Sequence, residues 1–192
     1  MIADFAWRLK LTGVPTWRTR LRSFPPCCQS ALVPSPASPG RRLLVLWRRL
    51  APLPFGPQLF AWVFGRAVPY SGALGARVRH LEPGRVRLEL RDRRAVRNHL
   101  NSVHAVALAN LGEMASGLAM TTALPDGVRG IVLGISVEYL KKARGTLTAE
   151  AVVEVPEVPA PTDLDVHAEI RDAVAVVARV TVRWRLGPVP PA

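Results

Sequence analysis

Val103-His104-Ala105-Val106-Ala107-Leu108-Ala109-Asn110-Leu111-Gly112-Glu113-Met114-Ala115-Ser116-Gly117-Leu118-Ala119-Met120-Thr121-Thr122-Ala123-Leu124 is the stretch on which the fold turns. Asn101 or Ser102 is placed to cap it, and Pro125-Asp126-Gly127 stops it, so it reads as one helix. Apolar residues occupy nearly every side of that helix. A helix without a polar face has to be enclosed rather than laid on a surface. Its small residues, Ala105, Ala107, Ala109, Gly112, Ala115, Ser116, Gly117 and Ala119, allow a sheet to wrap it closely.

The flanking sequence supplies such a sheet. Before the helix, 76–81 and 85–90 alternate apolar and charged residues around Glu82-Pro83-Gly84, which predicts a hairpin with one wet face. A basic loop, Arg91 to Arg97, leads on to Asn98. After the helix, four further strands are expected at 130–140, 146–155, 164–171 and 174–186. The predicted order is β-β-α-β-β-β-β, an α+β domain.

The first 71 residues differ. Residues 1–41 carry scattered prolines and no sustained period, the composition of a disordered or mis-started extension. Leu43, Leu44, Leu46, Trp47 and Leu50 then alternate with Arg48 and Arg49 as in a helix, and a second apolar segment, Gln58 to Phe64, follows Pro57. Segments of this kind either lie on a membrane surface or cover an apolar face of the following domain. The second is the expectation here, with membrane contact by residues 43–64 as the minor alternative. The division expected is therefore 1–41 extension, 42–71 helical segment, 72–187 folded domain and 188–192 tail.

A formal net charge of +12 suggests nucleic acid until it is located. Residues 1–50 hold nine Arg or Lys and one acid, whereas residues 51–192 hold seventeen against thirteen. The excess lies outside the folded part, so no nucleic-acid partner is expected. Lysine occurs only at Lys10, Lys141 and Lys142 amid abundant Arg, Ala, Gly and Pro, the mark of a gene from a high-GC bacterium. Cys27 and Cys28 are adjacent and leave the domain cysteine-free, which suits a cytoplasmic location. His99 and His104 are spaced wrongly for one helical face, so no metal is expected. His80 and His167 fall in alternating strands and read as surface residues.

The segment from Asn98 to Glu113 resembles the central motif of hotdog-fold thioesterases, in particular an uncharacterised branch, a domain of unknown function akin to the phenylacetate-degradation type. In that type an Asn precedes the motif histidine by six residues and an acid follows it by nine, the spacings of Asn98, His104 and Glu113. Ile135 to Gly145 is similar to the strand and turn after the helix. Ala105 and Val106 stand where two glycines are usual, and Val132 lies near the position where many relatives carry Ser or Thr.

The resemblance implies an antiparallel sheet around one long helix, and an acyl-CoA or acyl-carrier-protein thioesterase needing no cofactor, with coenzyme A as part of the substrate. It assigns Glu113 as general base, with a nucleophile as the minor alternative, Asn98 as an orienter of water and the Ala105 amide as oxyanion donor, with His104 shaping the pocket. A helix start is suited to that donor role by its unpaired N–H groups and positive dipole end. Nine helical residues span about 13.5 Å and about two and a half turns, so His104 and Glu113 of one chain cannot serve one substrate. A site composed from two chains is expected, in a homodimer or a dimer of dimers. Lys141, Lys142 and Arg144 are candidates for the phosphates of coenzyme A or the acidic face of a carrier protein. Met114, Leu118, Leu133 and Ile135 are candidates for the acyl pocket. Each has a plainer alternative: Glu113 at a wet edge or paired with an arginine, His104 bonded to a nearby backbone group, Asn98 capping a loop, the basic turn merely solvated. A different class also stays open, a non-catalytic hotdog module that binds acyl-CoA or lipid.

Overall fold

The predicted central helix runs from Ala105 to Ala123, and the hydrophobic core is organised on it. The computed structural model describes residues 38–189, so the readings of 1–37 and 190–192 fall outside the described residues. Ahead of the central helix stand α1 (Pro39–Leu50), α2 (Gly56–Ala67), α3 (Pro69–Leu74), β1 (Arg77–Glu82) and β2 (Arg85–Leu90). The central helix is α4, and β3 (Val128–Tyr139), β4 (Leu147–Val152), β5 (Thr162–Arg171) and β6 (Val176–Pro188) follow. The six strands form one antiparallel sheet in the order β1-β2-β4-β5-β6-β3, curled around α4 in the hotdog arrangement.

Strand alternation sets which side chains meet the helix. Across the sheet, Leu88, Ala149, Ile170 and Ala178 form one inward row, and Val86, Ala151, Ala168 and Val180 form the next. All eight are buried. The alanines leave room for the helix axis to come close. At the closest approach a Cβ on Gly112 would collide with the Val180 side chain. Two polar contacts fix the helix against the sheet: the Trp184 indole N–H donates to Ser116 Oγ at 2.7 Å, and Thr122 Oγ1 accepts from the Gly84 amide at 3.3 Å.

The outer face carries a ladder of directly opposed charges. Arg185 pairs with Asp163 at 2.8 Å, Arg183 with Asp165 at 3.0 Å, and Arg87 with Glu150 at 2.7 Å. Exposed pairs of this kind add little stability singly, but each matches the strand register.

The amino-terminal helices pack along α4, α1 against its carboxyl end and α3 beside its amino end. Leu44 and Trp47 of α1 and Phe60 of α2 are buried, with the Trp47 and Phe60 rings edge-to-face at 5.2 Å. Gly40 lets α1 cross α4, since a Cβ there would strike the Thr121 carbonyl. Helix α3 was not read from sequence. It spans the anticipated boundary at residues 71 and 72, started by Pro69 and ended by Gly75 in the left-handed region (φ 69°).

One cap differs from the reading. His104, not Asn101 or Ser102, is the N-cap of α4. The preceding chain is committed elsewhere: Val103 N–H bonds the Ala143 carbonyl and His104 N–H bonds Val96, both at 2.8 Å, while Asn101 adopts φ 53°. Helical geometry therefore begins only after His104.

Substituting Gly112→Ala should destabilise the fold by about 1–3 kcal/mol, the usual cost of overpacking. Val180→Ala in the same chain should recover part of that loss. Denaturant melts of the three variants check the coupling, and additive effects would contradict the stated contact.

Candidate active site

Two features of α4 stand apart from its apolar surface. One is its amino terminus. His104 Nδ1 accepts the Val106 amide at 3.1 Å, which leaves the ring proton on Nε2, directed away from the cap. As first residue of the helix, Ala105 has an amide with no intrahelical acceptor. A cleft of about 310 Å³ opens at this end, walled by Tyr70, Leu74, Val96, Arg97, His104 and Asn110. The Tyr139 hydroxyl, from the end of β3, donates to the Ala105 carbonyl at 3.1 Å.

The other feature is a stripe left uncovered along the helix. Val106, Asn110, Glu113 and Gly117 fall on one line at helical spacing, and none of them is buried. Sheet and amino-terminal helices together enclose most of α4 and leave this line partly open. Glu113 lies midway, its carboxylate beside Gly117 and the Trp184 ring. No ion pair or hydrogen bond to the Glu113 side chain occurs among the described residues. The half-buried carboxylate is desolvated, which raises its pKa above the ordinary glutamate value of 4.5.

Asn98 serves the loop that leads into the helix. Its Oδ1 accepts from the Leu100 amide (2.9 Å), the Ser102 amide (3.3 Å) and the Ser102 hydroxyl (3.2 Å), leaving only its Nδ2 group uncommitted. Asp92 ties the same loop to the turn after β3, accepting from Arg97 Nε at 2.6 Å and from the Gly145 amide at 2.9 Å. These bonds hold the Asp92 carboxylate below its usual pKa range, the Arg97 bond most of all.

A family model for a domain of unknown function, DUF4442, matches residues 56–186, more than half of the chain. The chain belongs to the DUF4442 family. A search of curated proteins finds no match. Among solved structures, a structural-genomics crystal structure shares 28% identity and a TM-score of 0.69, covering 78% of this chain and 98% of its own. A Pseudomonas aeruginosa protein of unknown function, named a probable thioesterase, shares 22% identity and a TM-score of 0.62, over 71% and 97% of the two chains. A mutant of the phenylacetic acid degradation protein PaaI from Thermus thermophilus shares 23% identity and a TM-score of 0.53, over 61% and 97%. These likenesses establish the hotdog fold.

Within one DUF4442 chain the anticipated site residues do not converge. His104, Asn110 and Arg97 share the cleft, while Glu113 lies outside its walls. Of the basic turn, Lys141 is committed to Asp172 at 2.9 Å, and the Ala175 amide, followed by that lysine and the Val174 amide, brings the Asp172 pKa down to about 2. Lys142 and Arg144 make no ion pair among the described residues. Met114 and Leu118 are buried in the core, whereas Leu133 sits in the bulge between Val132 and Gly134 and Ile135 pairs with inward-facing Val182. Leu133 and Ile135 lie on the edge strand and stay exposed, so the four do not form one buried wall within a single chain. Tyr139, Asn110 and Tyr70 escaped the sequence reading. Tyr139 had a signal, as the aromatic closing the strand before Leu140-Lys141-Lys142; Tyr70 had none, because α3 itself was not anticipated.

Among the described residues no group of His, Cys, Asp or Glu could hold a metal, and no helix is long and apolar enough to cross a membrane.

The raised pKa of Glu113 has a signed consequence. The folded state holds the Glu113 proton more tightly than the unfolded chain does, so this residue lowers stability increasingly as pH rises from 4.5 through the raised value. Glu113→Gln should therefore melt at higher temperature than wild type at pH 7, and the gap should close in acid. Thermal melts across pH test this; a variant less stable than wild type at pH 7 would contradict it.

Proposed function

We propose that this protein hydrolyses an acyl thioester of coenzyme A or of an acyl carrier protein, at a site composed from two copies of the chain. The observation that carries the reading is Glu113: a half-buried carboxylate, unpaired among the described residues, with its pKa raised by desolvation on an otherwise apolar helix. Such a group costs stability wherever it has no chemical use. As general base it would take a proton from water while the hydroxyl adds to the thioester carbonyl. It would then return that proton to the departing thiolate, leaving a carboxylic acid and a free thiol.

The negative charge developing on the carbonyl oxygen needs a donor, and the Ala105 amide at the start of α4 is the one offered, with His104 shaping the pocket beside it. Since Glu113 lies outside the His104 cleft, the complementary half would come from a second chain. Strand β3 supports that partnership. It is an edge strand of the sheet, and Ile131, Leu133 and Ile135 are 56%, 46% and 47% exposed. A long apolar edge invites pairing with another copy, in a homodimer or a dimer of dimers. The Asn98 amide group would orient the water, and Lys142 and Arg144 would meet the phosphates or an acidic carrier face. Coenzyme A enters as substrate, and the reading asks for no cofactor.

A second reading, a non-catalytic module that binds acyl-CoA or lipid, is favoured by one feature. Val106 projects 56% exposed at the helix mouth, where it narrows the approach to the Ala105 amide.

Purified protein should release thiol from some members of a panel of acyl-CoA esters, short to long. Glu113→Gln should lower turnover by roughly two to four orders of magnitude, as expected on losing a general base. The acid limb of the pH–rate profile should lie above the ordinary carboxylate range. Tight binding of every ester with no thiol released would instead establish the binding module.

A further inference from the structure

The amino-terminal helices use one face to cover α4 and leave the other bare. On α2 and the turn before it, Phe55, Leu59, Trp62 and Arg66 fall on one line at spacings of four, three and four. Phe55 is 77% exposed, Trp62 60% and Leu59 45%, with Leu53 (50%) and Tyr70 (72%) at either end. The Arg66 guanidinium sits 5.1 Å from the Trp62 ring centroid and closes the stripe with a positive charge.

Phe55 is held out at a cost. Its φ of 62° places a bulky aromatic residue in the left-handed region, and its backbone carbonyl accepts the Gln58 and Leu59 amides, both at 3.0 Å. A phenyl ring in strained backbone and nearly full solvent contact gives the fold nothing in return.

The charge around the stripe has one sign. Between Ser38 and Ala76 there are five arginines and no acid. Arg41 pairs with Asp126, whereas Arg42, Arg48, Arg49 and Arg66 make no ion pair among the described residues. In the sheet, by contrast, Arg79, Arg87, Arg171, Arg179, Arg183 and Arg185 each pair with an acid.

We infer that this face docks on an anionic phospholipid surface, with Phe55, Leu59 and Trp62 entering the headgroup boundary and the arginines meeting phosphates. Aromatic and aliphatic side chains on one line, flanked by unpaired cations, are what such a boundary recognises. A protein partner would also bury Phe55 and Trp62; the absence between Ser38 and Ala76 of any acid, which would repel a phosphate, is what favours the lipid surface. The inference is independent of the catalytic proposal. The chain does pass straight from the stripe into α3, whose Tyr70, Ala73 and Leu74 wall the His104 cleft.

The test is sedimentation of the full chain with vesicles of phosphatidylcholine, with and without phosphatidylglycerol, at low and high salt. Wild type should pellet only with the anionic vesicles and should be released by salt. Phe55→Gly removes the ring and relieves the positive φ, so it should fold at least as stably while binding falls several-fold. Leu59→Ser with Trp62→Ser should lower binding by about tenfold or more, and Arg66→Glu should lower it at unchanged melting temperature. Wild type that stays in the supernatant would overturn the inference. So would variants that pellet like wild type, which would place lipid binding outside this face, or variants whose changed property is oligomer size, which would make the stripe a contact between copies.

Discussion

A nineteen-residue helix whose only charged side chain is Glu113 cannot rest on a protein surface. Water would meet apolar side chains on nearly every line of it, and the remedy is to roll a sheet around it. Most other features follow from that enclosure. The sheet must be antiparallel and long enough to curl, its inward rows must contain alanine so that the helix can come close, and Gly112 must yield space to Val180. Helices α1 and α3 pack on α4 as well, and Leu44, Trp47 and Phe60 of the amino-terminal helices are buried in the same core.

The enclosure stops along the line of Val106, Asn110, Glu113 and Gly117, and that gap is where the fold and the proposed chemistry meet. A carboxylate there is sheltered enough to be raised in pKa and open enough to meet water or substrate. The start of the same helix carries the His104 cap and the Ala105 amide, facing a different opening. In the proposed mechanism one helix presents two half-sites that it does not bring together, and the open edge of β3 is where a second chain would pair.

The fold was legible because each signal was local. Strand alternation in 85–90, the absence of a polar face over 103–124 and the stop at Pro125-Asp126-Gly127 need no long-range information. The site was legible only as spacing. That Lys141 would be claimed by Asp172, and that Leu133 and Ile135 would be left exposed on an edge strand, depend on neighbours distant in sequence and on strand order, while Asn98 spends its carbonyl oxygen on the local turn to Leu100 and Ser102. The displaced N-cap has the same origin. Asn101 and Ser102 are the better capping types, but bonds from Val103 to Ala143 and from His104 to Val96 hold the chain extended past them. Propensity gave way to tertiary hydrogen bonds.

The most direct test of the composite site is subunit complementation. Glu113→Gln and His104→Ala chains, each of low activity alone, would be unfolded together, refolded and assayed for thiol release. In a two-chain site each mixed dimer carries one doubly altered site and one intact site. Random pairing should then return about a quarter of wild-type activity if the dimer is the functional unit. Activity no greater than that of the two variants measured separately would contradict a site shared between chains.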